Sequence, residues 1–265
     1  MNALLIKITI MPVIIALVTL ISRKWGNTIG GMIASMPWVA GPIILFIALE
    51  QGSAFAAASI SGVMMGIIGW LTFCLAYIYV GYRHNAIWSV LAGYAAYLLT
   101  AYLFHFLDGY LSLTAWFFLT LFLITLTVRY YPDTGRVVAK AGKPLRFDIP
   151  MRMVVMTSFV LIVTYSAQML GPMWSGILTP VPVMTAVLAM FTHYTQGIDA
   201  TIVILKGMFI GIYGFTAFLF LQAFLLPVMS VYLAFLIGLN VNVLVSLLAK
   251  ALFEKFGAIP STAKS

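Results

Sequence analysis

The sequence predicts an all-α polytopic membrane protein: nine transmembrane helices, arranged as two inverted four-helix repeats joined by a linker helix. Three observations lead there. Of the 265 residues, 63% are hydrophobic and only 8% charged, with a mean hydropathy of +1.11, whereas a soluble domain carries roughly 25% charged residues. Apolar runs of about 20 residues, enough to cross a bilayer, recur along nearly the whole chain. The chain also repeats itself at a fixed offset.

Composition narrows the function classes. One cysteine, Cys74, sits inside an apolar run, so neither an intramolecular disulfide nor a thiolate zinc site can form. The net charge of +8 is explained by a positive-inside bias of membrane loops, so nucleic acid is not an expected partner. Residues 3–21 lack a basic leader and an A-x-A-like cleavage site and run on into SRKWGN. They read as a retained first helix and not as a signal peptide.

Hydropathy places the helices near 3–21, 28–49, 54–81, 86–107, 111–128, 150–169, 173–194, 199–225 and 228–250. Residues 1–110 form the first repeat, 111–149 the linker helix and a basic loop, 150–253 the second repeat and 254–265 a tail. Nine crossings put the termini on opposite sides. If the loop RYYPDTGRVVAKAGKPLRFDI is cytoplasmic, 13 of the 14 Lys and Arg residues lie on or near that side, and only Lys7 lies opposite. The expected orientation is N-terminus out and C-terminus cytoplasmic.

Each repeat is justified by its glycines. Sliding the chain by 145 residues pairs 7–107 with 152–252, and all seven glycines of the second window fall on glycines of the first. Gly171, Gly176 and Gly197 fall on Gly26, Gly31 and Gly52; Gly207, Gly211, Gly214 and Gly238 fall on Gly62, Gly66, Gly69 and Gly93. Pro182 falls on Pro37, Met156 on Met11 and Gln196 on Gln51. The coincidences exceed chance and mark an internal duplication. Helix 111–128 has no counterpart, and one extra crossing between two four-helix units turns the second unit over.

The second helix of each unit is interrupted. GGMIASMPWVAGPIILFIALEQG carries Pro37, Gly41 and Pro42, and SGILTPVPVMTAVLAMFTHYTQG carries Pro180 and Pro182. At about 1.5 Å per residue Pro37 is near 15 Å deep, about the midplane of the hydrocarbon core. A proline frees the carbonyl one turn earlier. A kink kept for packing accounts for one such break. Two at matched depth in inverted copies are the layout of a transporter's central site.

The pattern G-x(5)-P near a helix middle, with E/T-Q-G at its end, resembles the small GlpM-like bacterial inner-membrane proteins. Gly31, Pro37, Glu50 and Gly52 carry the resemblance, with Lys7 in the first helix. The second copy departs from it, with Thr195 in place of Glu50 and the run TPVP. The resemblance implies two family-length units fused around a linker helix, in a bacterial inner membrane. It implies nothing about substrate.

The expected substrate site comprises Pro37, Trp38, Gly41, Pro42, Thr179, Pro180, Pro182 and Thr185: hydroxyls from the threonines, an aromatic wall from Trp38, and the dipoles of the broken helix ends. Asn242 is added because it shares a helix face with Gly238 and Ser246, while Asn240 points about 200° away. For Asn242 interhelical hydrogen bonding competes with a ligand contact. Glu50, His193 and Lys206 are placed at the rim, with gating, proton sensing or attraction of an anion set against plain rim solvation and snorkelling. The glycines at i, i+4, i+7 spacing are expected to let helices approach closely.

No H-E-x-x-H, P-loop or G-x-S-x-G motif occurs, and no carboxylate lies in mid-membrane. An enzyme, a metal site and a cofactor are therefore not expected. The leading expectation is a secondary transporter or facilitator of a small-molecule or lipid-linked substrate, surrounded by membrane lipids. The rivals are an accessory subunit of a membrane complex and a lipid-carrier flippase.

Overall fold

A computed structural model describes residues 3–24, 26–132 and 148–255. The basic loop over 133–147 and the tail over 256–265, on which much of the orientation argument rests, lie outside the described residues. The described chain is all-helical, in eleven segments: α1 (Ala3–Lys24), α2 (Gly26–Ala34), α3 (Ala40–Glu50), α4 (Ser53–Ala58), α5 (Ile60–Gly81), α6 (Ala86–His105), α7 (Leu113–Arg129), α8 (Asp148–Leu178), α9 (Val183–Gln196), α10 (Ile198–Leu225) and α11 (Val231–Lys255). Six stretches are long and apolar enough to cross a membrane: Leu4–Ile21, Ser53–Gly81, Ala86–His105, Ile149–Leu178, Ile198–Leu225 and Val231–Lys255. Ala40–Glu50 and Leu113–Arg129 are apolar but shorter. These helices fit a multi-pass membrane protein.

Local chemistry sets the joints. α6 begins where the Asn85 side chain accepts the Ile87 and Trp88 N–H groups at 3.1 and 3.2 Å, and α7 where the Ser112 hydroxyl accepts the Ala115 N–H at 3.2 Å. Both satisfy donors that a helix N-terminus leaves open. α8 is two helical pieces joined at Gly171, whose φ of 73° and ψ of 172° no side-chain-bearing residue adopts readily, with Pro172 next. Gly52 (φ 95°) and Gly197 (φ 89°) make the turns that follow α3 and α9.

α5 and α10 form the centre, 72% and 78% buried over their apolar windows, against 22% for α6 and 28% for α1 and α11. The outer helices turn large apolar side chains such as Leu98, Leu99, Leu236 and Leu248 outward, as suits contact with lipid. Centre and surround are joined through glycine. A Cβ on Gly31 would collide with the Ile204 carbonyl, and one on Gly176 with the Ser59 carbonyl. Gly66 lies against the Ile177 carbonyl and Pro180, and Gly211 against the Met32 carbonyl and Ser35. Gly69 faces Tyr97 and Gly214 faces Asn242; Gly93 faces the Phe73 ring and Gly238 the Phe218 ring. Within each of these four pairs, both partners differ by 145 positions from their counterparts in the other. Each of these contacts thus occurs twice, and where it joins the two halves its partners are exchanged.

Backbone facing backbone cannot move aside as a side-chain tip can. Gly31→Ala and Gly176→Ala should each lower the stability of the detergent-solubilised protein by about 1–3 kcal/mol. Gly41→Ala, which meets only the Pro37 ring at 3.3 Å, should cost clearly less. Thermal unfolding of the three variants side by side checks the ordering.

Candidate functional site

Both expected interruptions are present. α2 stops at Ala34 and α3 starts at Ala40; α8 stops at Leu178 and α9 starts at Val183. The two gaps share one backbone pattern. Met36 N–H donates to the Ile33 carbonyl and Val181 N–H to the Leu178 carbonyl, both at 3.2 Å. Trp38 N–H donates to Met36 O and Val183 N–H to Val181 O, both at 2.7 Å. Gly41 N–H reaches Pro37 O at 2.9 Å, and Ala186 N–H reaches Pro182 O at 2.7 Å. Pro37 and Pro182, which have no N–H to donate, stand at equivalent points of these turns.

The gaps face each other across a cavity of about 60 Å³, room for a few water molecules. Residues 34–36 and 38–40 line one side, and 179–182 with Met184 and Thr185 the other. Trp70 on α5 and Ile212 and Phe215 on α10 close it. Trp70 and Phe215 are themselves 145 positions apart. Of the side chains expected to meet a substrate, Trp38, Thr179, Pro180, Pro182 and Thr185 line the cavity. Pro37, Gly41 and Pro42 do not: they shape the first gap from behind, where Gly41 packs on Pro37 and approaches Phe218.

Side chains donate to several carbonyls at the stopped helices. Ser35 Oγ donates to the Met32 carbonyl and Trp38 Nε1 to the Ile33 carbonyl, both at 2.7 Å. In the other gap Pro180 stands where Ser35 would be and cannot donate. There the Tyr97 hydroxyl reaches over from α6 and donates to the Ile177 carbonyl at 2.5 Å. Thr179 Oγ1 donates to the Ser175 carbonyl at 2.8 Å. On the wall of the cavity Trp70 Nε1 donates to Thr185 Oγ1 at 2.8 Å.

Asn242 stands where the repeat places Tyr97, and it is 1% exposed. Its face is the buried one, as the helical spacing predicts, while Asn240 is exposed and bonds back to the Leu236 carbonyl at 2.7 Å. Asn242 nevertheless lies outside the cavity lining, packed against Gly214. Its equivalent Tyr97 lies outside the lining too, but its hydroxyl reaches the Ile177 carbonyl. The Asn242 Nδ2, like Ser246 Oγ, has no hydrogen-bond partner among the described residues.

The rim residues also settle elsewhere. Glu50 is bound to Lys7, with its carboxylate oxygens 2.7 and 2.8 Å from Nζ. Lys7 is fully buried, donates to Thr164 Oγ1 at 2.7 Å, and lies over the Phe46 and Tyr165 rings at 5.0 and 5.1 Å. Arg152, its equivalent at the 145-residue offset, lies over Phe191 at 5.6 Å, and Phe191 is the equivalent of Phe46. His193 Nδ1 is 3.3 Å from the Tyr77 hydroxyl. Lys206 is half-buried and off the cavity.

Sequence reading missed Ser35, Met36, Trp70, Met184, Ile212 and Phe215. For Trp70 and Phe215 the aromatic match at the same offset is a signal that could have found them. Comparison with protein-family models, curated proteins and solved structures returns no match.

The exchange of caps makes a prediction. Tyr97→Phe leaves the Ile177 carbonyl without its donor and should cost about 1–3 kcal/mol. Adding Pro180→Ser supplies a hydroxyl where Ser35 supplies one in the other gap, and should recover part of that loss. A double-mutant cycle by chemical denaturation in micelles measures the coupling; additive losses would exclude it.

Proposed function

We propose that the chain is a secondary transporter or facilitator of a small solute, working by alternating access around the cavity between the two helix gaps. One observation carries the reading: two interrupted helices, equivalent at the 145-residue offset, lay their broken ends on a single cavity. Irregular backbone at membrane depth persists only where it is buried in protein or lines a cavity, and paired broken helices at a repeat interface are how transporters build a central site.

The architecture proposed is nine crossings in two inverted four-helix repeats, a fused pair of GlpM-like units in a bacterial inner membrane. Two contact patterns support it. Contacts with exchanged partners are what a two-fold relation between similar units produces. α1 and the first piece of α8 are equivalent segments, and Lys7, near the start of α1, touches Thr164, near the end of that piece. Equivalent helices packed antiparallel are related by an axis perpendicular to them, hence in the membrane plane. Each broken helix then counts as one crossing made of two short segments.

Single cysteines at Gln51 and Gln196, in a Cys74→Ser background, should react with impermeant thiol reagents from opposite sides of the membrane. Same-side labelling would sink the inverted arrangement.

Function is tested in proteoliposomes of the full chain. A panel of small solutes should include one whose flux saturates, and Pro37→Ala and Pro182→Ala should reach the membrane yet lose at least tenfold of that flux. Full flux in either variant would remove the gaps from the transport path. A chain that moves no solute would return the accessory-subunit reading.

A further inference from the structure

The polar groups left open at the cavity belong to the backbone, and they come in both kinds. Where α3 and α9 begin, the N–H groups of Val39 and Ala40, and of Met184 and Thr185, find no acceptor among the described residues. In the same two gaps the carbonyls of Ala34, Ser35 and Trp38, and of Thr179 and Pro180, find no donor among them. All of these residues line the cavity. Val39 and Ala40 stand 145 positions from Met184 and Thr185, and Ala34 and Ser35 the same distance from Thr179 and Pro180. Each side of the void therefore offers matching donors and acceptors. Buried backbone groups are almost always paired, so an open set of both kinds around one void points to an occupant that both donates and accepts.

The side chains leave that task to the backbone. Ser35 and Thr179 direct their hydroxyl protons to the Met32 and Ser175 carbonyls. The Trp38 indole N–H goes to the Ile33 carbonyl and that of Trp70 to Thr185 Oγ1. With their N–H groups engaged, Trp38 and Trp70 join Phe215 in presenting aromatic surface, a wall against which a flat solute packs well.

Charge decides between ion and neutral molecule. A helix N-terminus carries roughly half a positive charge and a C-terminus roughly half a negative one. α3 and α9 begin at this cavity while α2 and α8 end there, so the four ends cancel. Among the described residues no Asp, Glu, Lys or Arg lines it. An ion of either sign would give up its hydration and meet no opposing net charge; a neutral solute only exchanges hydrogen bonds with water for hydrogen bonds with the backbone. We infer that the cavity binds a small neutral amide or urea, whose N–H groups meet the open carbonyls and whose oxygen meets the open N–H groups. The inference rests on the transport reading and names its substrate class. The volume of about 60 Å³, room for a few water-sized groups, suits such a molecule and excludes a lipid headgroup.

The test uses the full-length protein in proteoliposomes with urea, guanidinium and nitrate, which share one planar shape and differ in charge. Formamide is the second neutral solute and tetramethylurea the bulky one without donors. Urea or formamide should cross saturably, each competing with the other, while guanidinium, nitrate and tetramethylurea do not. Ala40→Leu, which pushes a side chain into the cavity, should lower that flux about tenfold or more by occlusion. Met36→Trp fills the same space from a half-buried position and should do the same if Ala40→Leu does not assemble. Saturable flux of guanidinium or nitrate would overturn the neutral-solute inference and leave transport standing. So would raised water permeability alone, which would make the occupant water. No flux of any kind would overturn both readings. Neutral flux that both filling variants leave unchanged would overturn the assignment to this cavity.

Discussion

A backbone N–H or carbonyl inside a bilayer has no water to fall back on, and that constraint organises this protein. Helices satisfy it by default. Where α2 gives way to α3, and α8 to α9, the default fails, and side chains take over. Ser35, Trp38, Tyr97 and Thr179 each donate to a carbonyl of the helical segment that stops there. An unsatisfied buried group costs several kcal/mol, so each of these donors lowers the cost of its gap.

The two gaps meet the same constraint by different means. Ser35 caps from within its own gap; Pro180, at the equivalent position, cannot, and Tyr97 caps from the neighbouring helix. The equivalent of Tyr97 is Asn242, whose shorter side chain leaves its Nδ2 without a partner among the described residues. A hydroxyl in the gap goes with a short neighbour, and a proline in the gap with a long one.

Charge is handled with equal economy. Lys7 is buried among Glu50, Thr164 and two aromatic rings, and Arg152 at the equivalent position lies over Phe191. A buried ion pair is weak evidence for stability, because desolvation offsets most of its attraction. Its clearest effect here is positional: it ties α1, α3 and α8 together beside the first broken helix. Among the described residues no charged side chain lines the cavity, so its electrostatics are those of helix ends and hydroxyls.

Composition and periodicity alone determined that the chain is helical, apolar and built of membrane-length segments. The 145-residue match marked close helix contacts and both interruptions, because glycine and proline leave their backbone requirements visible in one dimension. Helical geometry also told Asn242 from Asn240. Tertiary structure decided which side chains face the cavity. It turned Pro37, Gly41 and Pro42 away, moved Asn242 outside, paired Glu50 with Lys7, and brought in Trp70 and Phe215 from α5 and α10. Those outcomes depend on how helices far apart in the chain pack, as where the Tyr97 hydroxyl of α6 reaches the Ile177 carbonyl of α8. No spacing along one chain carries that distance.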